Sequence, residues 1–254
     1  MPVLVGHIAH GQSSSIGCIG RGLSHAKCVH ARRANHLKAM RVRKVVTRSG
    51  RGIRGKFPSR KLGQQVYWES LLERDAILMF ELHPLVLSYQ EQPLVDTYYD
   101  EAGGVYQCYP DFLLQTVGGT EILVEVKRNA DLARPSVKRK LGLIAAHFAD
   151  QGRDYRVITE STIHREPLHS NLQRLWESAR AFVISSIVHS GIDDLSAHHV
   201  YSVATLARIF GSEQAAFALI AMGRLRANLE EPLTSATSVW IPTNREAGDG
   251  SFSI

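Results

Sequence analysis

The chain has 254 residues, 44% of them hydrophobic and 21% charged, which is ordinary for a folded protein and excludes disorder over most of its length. At about 100–200 residues per domain, two folded units are expected. The longest apolar stretches, such as residues 179–188, are broken well short of the ~20 apolar residues a membrane span needs. No charged segment followed by an apolar run and a small-residue cleavage site directs the chain to secretion. Cys18, Cys28 and Cys108 are odd in number and scattered, which fits free thiols in a reducing cytoplasm.

The net charge of +6 is unevenly spread: residues 1–65 hold 14 Lys or Arg and no acid. Residues 1–39 are rich in Gly, Ser, His and Ala and show no sustained period, so they are expected to be a disordered extension. Met40 opens a segment that reads as a more natural start. His25, Cys28 and His30 match no standard four-ligand zinc spacing. Residues 40–62 form a basic arm, densest at Arg41, Arg43, Lys44, Arg48, Arg51, Arg54, Lys56, Arg60 and Lys61. Such an arm gains free energy by displacing counterions from phosphates, which points to nucleic acid. A solubilising tail is the plainer reading of the same charges.

From Lys61 to Glu81 an apolar stripe through Trp68, Leu72, Ile77 and Phe80 predicts a helix, stopped by His83-Pro84, with Glu69 and Glu73 four apart on one face. Strand-like segments follow at 86–92, 105–109, 111–117 and 121–127, with Gly103-Gly104 and Gly118-Gly119 at turns, and read as an antiparallel meander. A basic helix over 135–150 and a strand over 155–159 complete an α/β core with a mixed sheet, spanning 63–160. Helices predicted at 171–189, 202–210 and 213–228 then mark a second, mainly helical domain over 161–242. The pair around Gly211 resembles a helix-turn-helix, and the alternation over 233–241 suggests the strand of a wing. Its few basic residues, Arg208, Arg224 and Arg226, suit docking to protein at least as well as contact with DNA. Residues 243–254 read as a flexible tail.

Chemistry concentrates in Tyr109-Pro110-Asp111-Phe112 and Val124-Glu125-Val126-Lys127-Arg128. Period-two alternation puts Glu125 and Lys127 on one strand face. A two-residue turn at Gly118-Gly119 would set Asp111 opposite Val126, whereas an odd-length loop over 117–119 would set it opposite Glu125. The odd-length loop is predicted, with a glycine supplying the positive φ of a bulge. Neighbouring carboxylates that repel one another are explained by a divalent cation, and oxygen ligands suit Mg²⁺, with Mn²⁺ as a substitute. Such an ion serves phosphodiester hydrolysis, Lys127 would orient the attacking water, and Glu73 could complete the metal shell. Glu69 competes with Glu73 for that place. The plainer reading has Asp111 capping a turn and Glu125 paired with Lys127 on a solvated face.

The segments Glu69-Ser70-Leu71-Leu72-Glu73-Arg74-Asp75, Tyr89-Gln90-Glu91-Gln92-Pro93, Tyr109-Pro110-Asp111-Phe112 and Val124-Glu125-Val126-Lys127-Arg128 together resemble the TnsA family, the PD-(D/E)xK endonuclease subunits of heteromeric transposases. The resemblance implies a restriction-endonuclease-like catalytic domain with a mixed central sheet flanked by helices, then a winged-helix-like C-terminal domain. It assigns the helical glutamate to Glu73, the strand aspartate to Asp111 and the strand lysine to Lys127, with Glu125 where members carry Glu or Gln. It implies cleavage of double-stranded DNA at the 5′ ends of a cut-and-paste transposon, a DDE-type transposase as partner, and an AAA+ ATPase regulator docked on the C-terminal domain. An autonomous restriction or repair nuclease, a non-catalytic assembly or DNA-binding factor, and a transcription regulator are the rival readings.

Overall fold

A computed structural model describes residues 53–243, except the side chain of Ile187. Most of the basic arm, including Arg41, Arg43, Lys44, Arg48 and Arg51, lies outside the described residues, as do the expected extension and most of the tail. Where the arm is expected to run on to 62, the chain forms a hairpin, β1 (Gly55–Ser59) and β2 (Gln64–Trp68), paired antiparallel. Its alternation buries Phe57, Ser59 and Val66 and leaves Lys56, Gln65 and Tyr67 outside. Trp68 therefore belongs to a strand, and the helix α1 (Leu71–Leu82) starts later than its apolar stripe suggests. Ser70 sets that start: its side chain accepts a bond from the Glu73 amide at 3.1 Å, a standard N-cap arrangement.

The remaining elements of the first part are β3 (Val86–Glu91), β4 (Asp96–Tyr99), β5 (Val105–Cys108), β6 (Phe112–Thr116), β7 (Glu121–Val126), α2 (Asn129–Leu132), α3 (Pro135–Asp150), β8 (Asp154–Ile158) and α4 (Glu160–Ile163). The central sheet has the order β3-β6-β7-β8. Its first two pairings are antiparallel and the last is parallel, as a strand pair connected through a helix allows. It is thus mixed, as expected, but the strands do not form a simple meander. β5 pairs with β4 in a separate hairpin, and β3 pairs with β6 instead. Asp96–Tyr99 has only four residues and no long apolar run, so nothing in its pattern marks it as a strand.

Both faces of the sheet are covered. Phe112, Leu114, Ile122, Val124 and Val126 pack with Ile77 and Phe80 of α1. Leu123 points the other way, into a cluster with Ile144 and Phe148 of α3 and Tyr98 and Cys108 of the β4–β5 hairpin. Strands buried on both faces read as near-continuous apolar runs, which is why Ile122-Leu123-Val124 shows little alternation.

The C-terminal part contains α5 (Leu168–Arg180), α6 (Ser186–Asp193), β9 (Tyr201–Ser202), α7 (Val203–Phe210), α8 (Glu213–Ala221), β10 (Arg226–Ala227) and β11 (Ser238–Trp240). The single helix expected over 171–189 is two, because Ser185 caps a fresh start by accepting from the Val188 amide. The helix expected to reach 228 stops at Ala221, where Gly223 takes a positive φ. Of the wing strand expected over 233–241, three residues pair, in a small sheet of order β10-β11-β9. α7 and α8, separated by Gly211 at φ 88°, meet at 104°, within the range of helix-turn-helix pairs. Leu206, Phe210, Phe217 and Leu219 form the second core. Ile163 and Leu172 belong to the first, and Trp176 stacks on Phe57 at 4.6 Å, so α5 is built into the sheet's core as well as its own. No single described helix is long and apolar enough to cross a membrane.

Candidate nuclease site

The hairpin between β6 and β7 decides whether the carboxylates meet. Its loop is Val117-Gly118-Gly119, with Gly119 at φ 84°. The Thr116 amide donates to the Thr120 carbonyl and the Gly119 amide to the Thr116 carbonyl, each at 2.9 Å. This odd-length loop pairs Phe112 with Val124 and Leu113 with Leu123. Continued by one residue, that register sets Asp111 opposite Glu125, as the glycine-containing loop predicts. The Val126 amide donates to Asp111 Oδ2 at 2.7 Å and fixes the carboxylate against the neighbouring strand.

Lys127 extends from the end of β7, on the side shared by Leu123 and Glu125. Its Nζ is 2.6 Å from Glu125 Oε1 and 3.8 Å from Asp111 Oδ2. Burial works against the Lys127 charge, but Asp111 and Glu125 outweigh it and hold the ammonium above its ordinary range. Asp111 is pushed well above the usual carboxylate range, first by burial and then by repulsion from Glu125, with Lys127 pulling the other way. The carboxylates therefore keep an excess of negative potential that one ammonium does not cancel.

Glu73 adds to it. It sits in the first turn of α1, where its carboxylate accepts from the Glu69 amide at 2.8 Å and the Ser70 hydroxyl at 3.0 Å. Burial raises its pKa, and it lies close enough to repel Asp111 and attract Lys127. Glu69 is not on the helix at all; it precedes the cap, and its Oε1 accepts from Gln92 Nε2 at 2.7 Å. The helix start separates the two glutamates: Glu69 precedes the cap and braces Gln92, while Glu73 lies in the first turn, near enough to act electrostatically on Asp111 and Lys127. Gln92 itself adopts a positive φ of 43° and donates its amide to the Asp111 carbonyl at 2.8 Å. A non-glycine residue held there carries strain of about 1–3 kcal/mol, a cost met most often beside functional groups.

A cleft of about 850 Å³ opens at the carboxyl end of β7, lined by Glu73, Glu125 and Lys127 and also by Arg128, Arg134 and Lys140. Arg128 closes the motif that the sequence singles out but is given no role there, and Arg134 and Lys140 are not singled out, although α3 reads as basic; what brings them to the cleft is the turn after β7. Of the basic arm, Arg54, Lys56 and Arg60 are exposed. Lys61 is used differently: its Nζ donates to the Phe80, His83 and Val86 carbonyls at 2.7, 2.9 and 2.7 Å. It closes the C-terminal end of α1, where unpaired carbonyls and the helix dipole favour a cation.

Residues 83–160 match the family model described as TnsA-like endonuclease N terminal. That stretch is similar to TnsA-like endonucleases. The match takes in Asp111, Glu125 and Lys127 and stops short of Glu73, whose assignment comes from the resemblance of residues 69–75. It supports a nuclease related to transposition. The mixed α/β architecture around it is consistent with a restriction-endonuclease-like fold. No curated protein gives a significant match.

Proposed function

We propose that this chain is a metal-dependent DNA endonuclease that hydrolyses phosphodiesters at the 5′ ends of a transposon, in the cytoplasm, alongside a DDE-type transposase. The observation that carries the reading is the register of β6 and β7, which sets Asp111 beside Glu125 and within 3.8 Å of Lys127. The neighbouring carboxylates of Asp111 and Glu125 beside one ammonium suit a divalent cation, and oxygen donors suit Mg²⁺ or Mn²⁺. Asp111, Glu125 and Glu73 would hold it. When bound, such an ion supplies a Lewis acid to the scissile phosphoryl group.

Lys127 would align the attacking water and offset negative charge growing on the phosphoryl oxygens. The Val126 amide, donating to Asp111 Oδ2, fixes the orientation of that carboxylate. Arg54, Lys56 and Arg60, with Arg41, Arg43, Lys44, Arg48 and Arg51 before them, would track the flanking duplex, while Arg128, Arg134 and Lys140 would receive phosphates on the cleft wall. For residues 161–242, the element order α6-β9-α7-α8-β10-β11 and the 104° helix pair support a winged-helix-like domain. Its low basicity favours docking of an AAA+ ATPase over DNA contact.

The test combines the purified chain with its neighbouring transposase and ATPase, Mg²⁺ and a plasmid carrying the element's ends. Cuts on the 5′ strands that disappear with Asp111→Ala support the assignment. Identical cuts with wild type and variant would move catalysis to a partner and leave this chain an assembly factor, and cutting of plain plasmid without partners would favour an autonomous nuclease.

A further inference from the structure

A second group of donors, of different chemistry, occupies another part of the same cleft wall. Asp75 lies half a turn beyond Glu73 on α1 and is buried, with 9% of its surface exposed. One of its oxygens, Oδ1, accepts from Arg74 Nε and Nη2 at 2.9 and 2.7 Å. The other, Oδ2, is 2.9 Å from His164 Nε2, at the end of α4. The ring of His169, in the first turn of α5, lies 4.6 Å from that of His164, centroid to centroid. One ligand atom from each of Asp75, His164 and His169 falls within 4.8 Å of the other two.

An ion pair between Asp75 and His164 would need only those two residues. A third donor, an imidazole from a different helix, stands within 4.8 Å of both, which an ion pair does not need and a metal site does. Bonds of about 2.0–2.2 Å to His nitrogen and carboxylate oxygen set adjacent donors roughly 3 Å apart, close to the Asp75–His164 separation. The outer partners are present as well. Arg74 orients the carboxylate, and Gln173 Nε2, 2.9 Å from His169 Nε2, sits where an amide turned to offer its oxygen would take that N–H and leave Nδ1 free to bind.

We propose that Asp75, His164 and His169 form a transition-metal site that fastens the start of α5 to α1 at the wall of the cleft. Two imidazoles and one carboxylate select Zn²⁺, Co²⁺ or Mn²⁺ over Mg²⁺, and three protein ligands leave a position for water. The site is separate in chemistry from the carboxylates around Lys127, which offer oxygen alone. Because it ties together residues far apart in the chain, its main effect is on stability and on the setting of α1, from which Glu73 projects.

The test is Zn²⁺ uptake by equilibrium dialysis of the full chain, with Co²⁺ absorption reporting the ligand field, in the presence of millimolar Mg²⁺. Wild type is expected to hold one equivalent more than His164→Ala/His169→Ala, and Asp111→Ala is expected to keep that equivalent. Asp75→Asn should weaken it by about tenfold or more. Zn²⁺ at about 100-fold above its Kd should raise Tm by roughly 5–10 °C in wild type and not in the double variant. Should the double variant fail to fold, His164→Gln alone supplies the same comparison. Equal uptake and equal Tm shifts in wild type and the histidine variants would overturn the site, whatever the outcome at Asp111.

Discussion

The two ends of α1 lie beside carboxylates in opposite circumstances, one buried and the others half-buried. Near its C-terminus, Glu81 accepts from the Ser59 and Tyr89 hydroxyls, both at 2.7 Å, and from the Arg60 and Lys61 amides at 2.8 and 2.9 Å. Every lone-pair direction has a donor, and the Lys61 ammonium nearby is itself held by three carbonyls. Near its N-terminus, Glu73, Asp111 and Glu125 share one ammonium, and burial and mutual repulsion lift the Asp111 pKa. A saturated carboxylate joins the β1–β2 hairpin to the helix. The Asp111–Glu125 pair, with one amide and one ammonium between them, is held together only because the surrounding fold tolerates it, and it keeps capacity for a ligand.

Removing Asp111 should therefore abolish function without harming the fold. Asp111→Ala is expected to lower cleavage in the assembled complex by about a thousandfold or more, the scale on which removal of one charge-stabilising group slows a reaction. Asp111→Asn, which can still accept from the Val126 amide, should leave the urea midpoint equal or higher, since it takes a charge away from Glu125. A clear fall in stability with Asp111→Asn would mean that the cluster is structural after all. The opposite holds for Glu81. Glu81→Ala leaves two hydroxyls and two amides without an acceptor and should destabilise the chain by about 3 kcal/mol or more, read from urea unfolding.

The comparison also has a pH signature. Asp111 has a folded pKa above its unfolded value near 4, so the folded state binds the proton more tightly. In metal-free protein its contribution to stability is full below about pH 4 and is lost as pH rises through the folded value. Added Mg²⁺ should reverse that trend, because an ion held by the ionised carboxylate favours the deprotonated form. Unfolding midpoints measured from about pH 4 to 8, with and without Mg²⁺, should diverge as pH rises. Parallel curves would separate the ion from Asp111.

How much of the molecule is legible in its sequence follows from which forces act locally. Turn chemistry is local, so a glycine free to take positive φ at the end of 117–119 discloses the odd-length loop and the meeting of Asp111 with Glu125. The helix over 135–150 is legible for the same reason, with Pro135 at its start. The β4–β5 hairpin is not, because its first strand is four residues with no apolar run to mark it, and the pairing of β3 with β6 is not, because pairing between segments with other strands between them leaves no mark in either one. Lys61 shows a different limit. Among so many basic residues its charge looks like part of a phosphate-binding arm, yet burial brings its pKa down to about 8 and its three bonds go to backbone carbonyls. The His164–His169 pair gives no signal in the sequence because its third partner, Asp75, lies far back in the chain.

Lys61 and the cleft arginines offer the finest test, since all are basic and only their surroundings differ. Arg128 and Arg134 both bind Asp131, on its Oδ2 and Oδ1 respectively. Two guanidiniums to one carboxylate leave a net positive charge, and both side chains stay mostly exposed, at 69% and 61%. Neutralising Arg128, Arg134 or Lys140 singly should reduce the slope of log K against log salt for duplex DNA by about 0.9 for each phosphate no longer neutralised, with no change in Tm. Lys61→Met should leave that slope alone and lower Tm instead, because the carbonyls ending α1 lose their cation. If Lys61→Met flattened the salt dependence as the cleft variants do, its ammonium would have to leave the Phe80, His83 and Val86 carbonyls on binding DNA, and the hairpin would be part of the DNA interface as well as of the core.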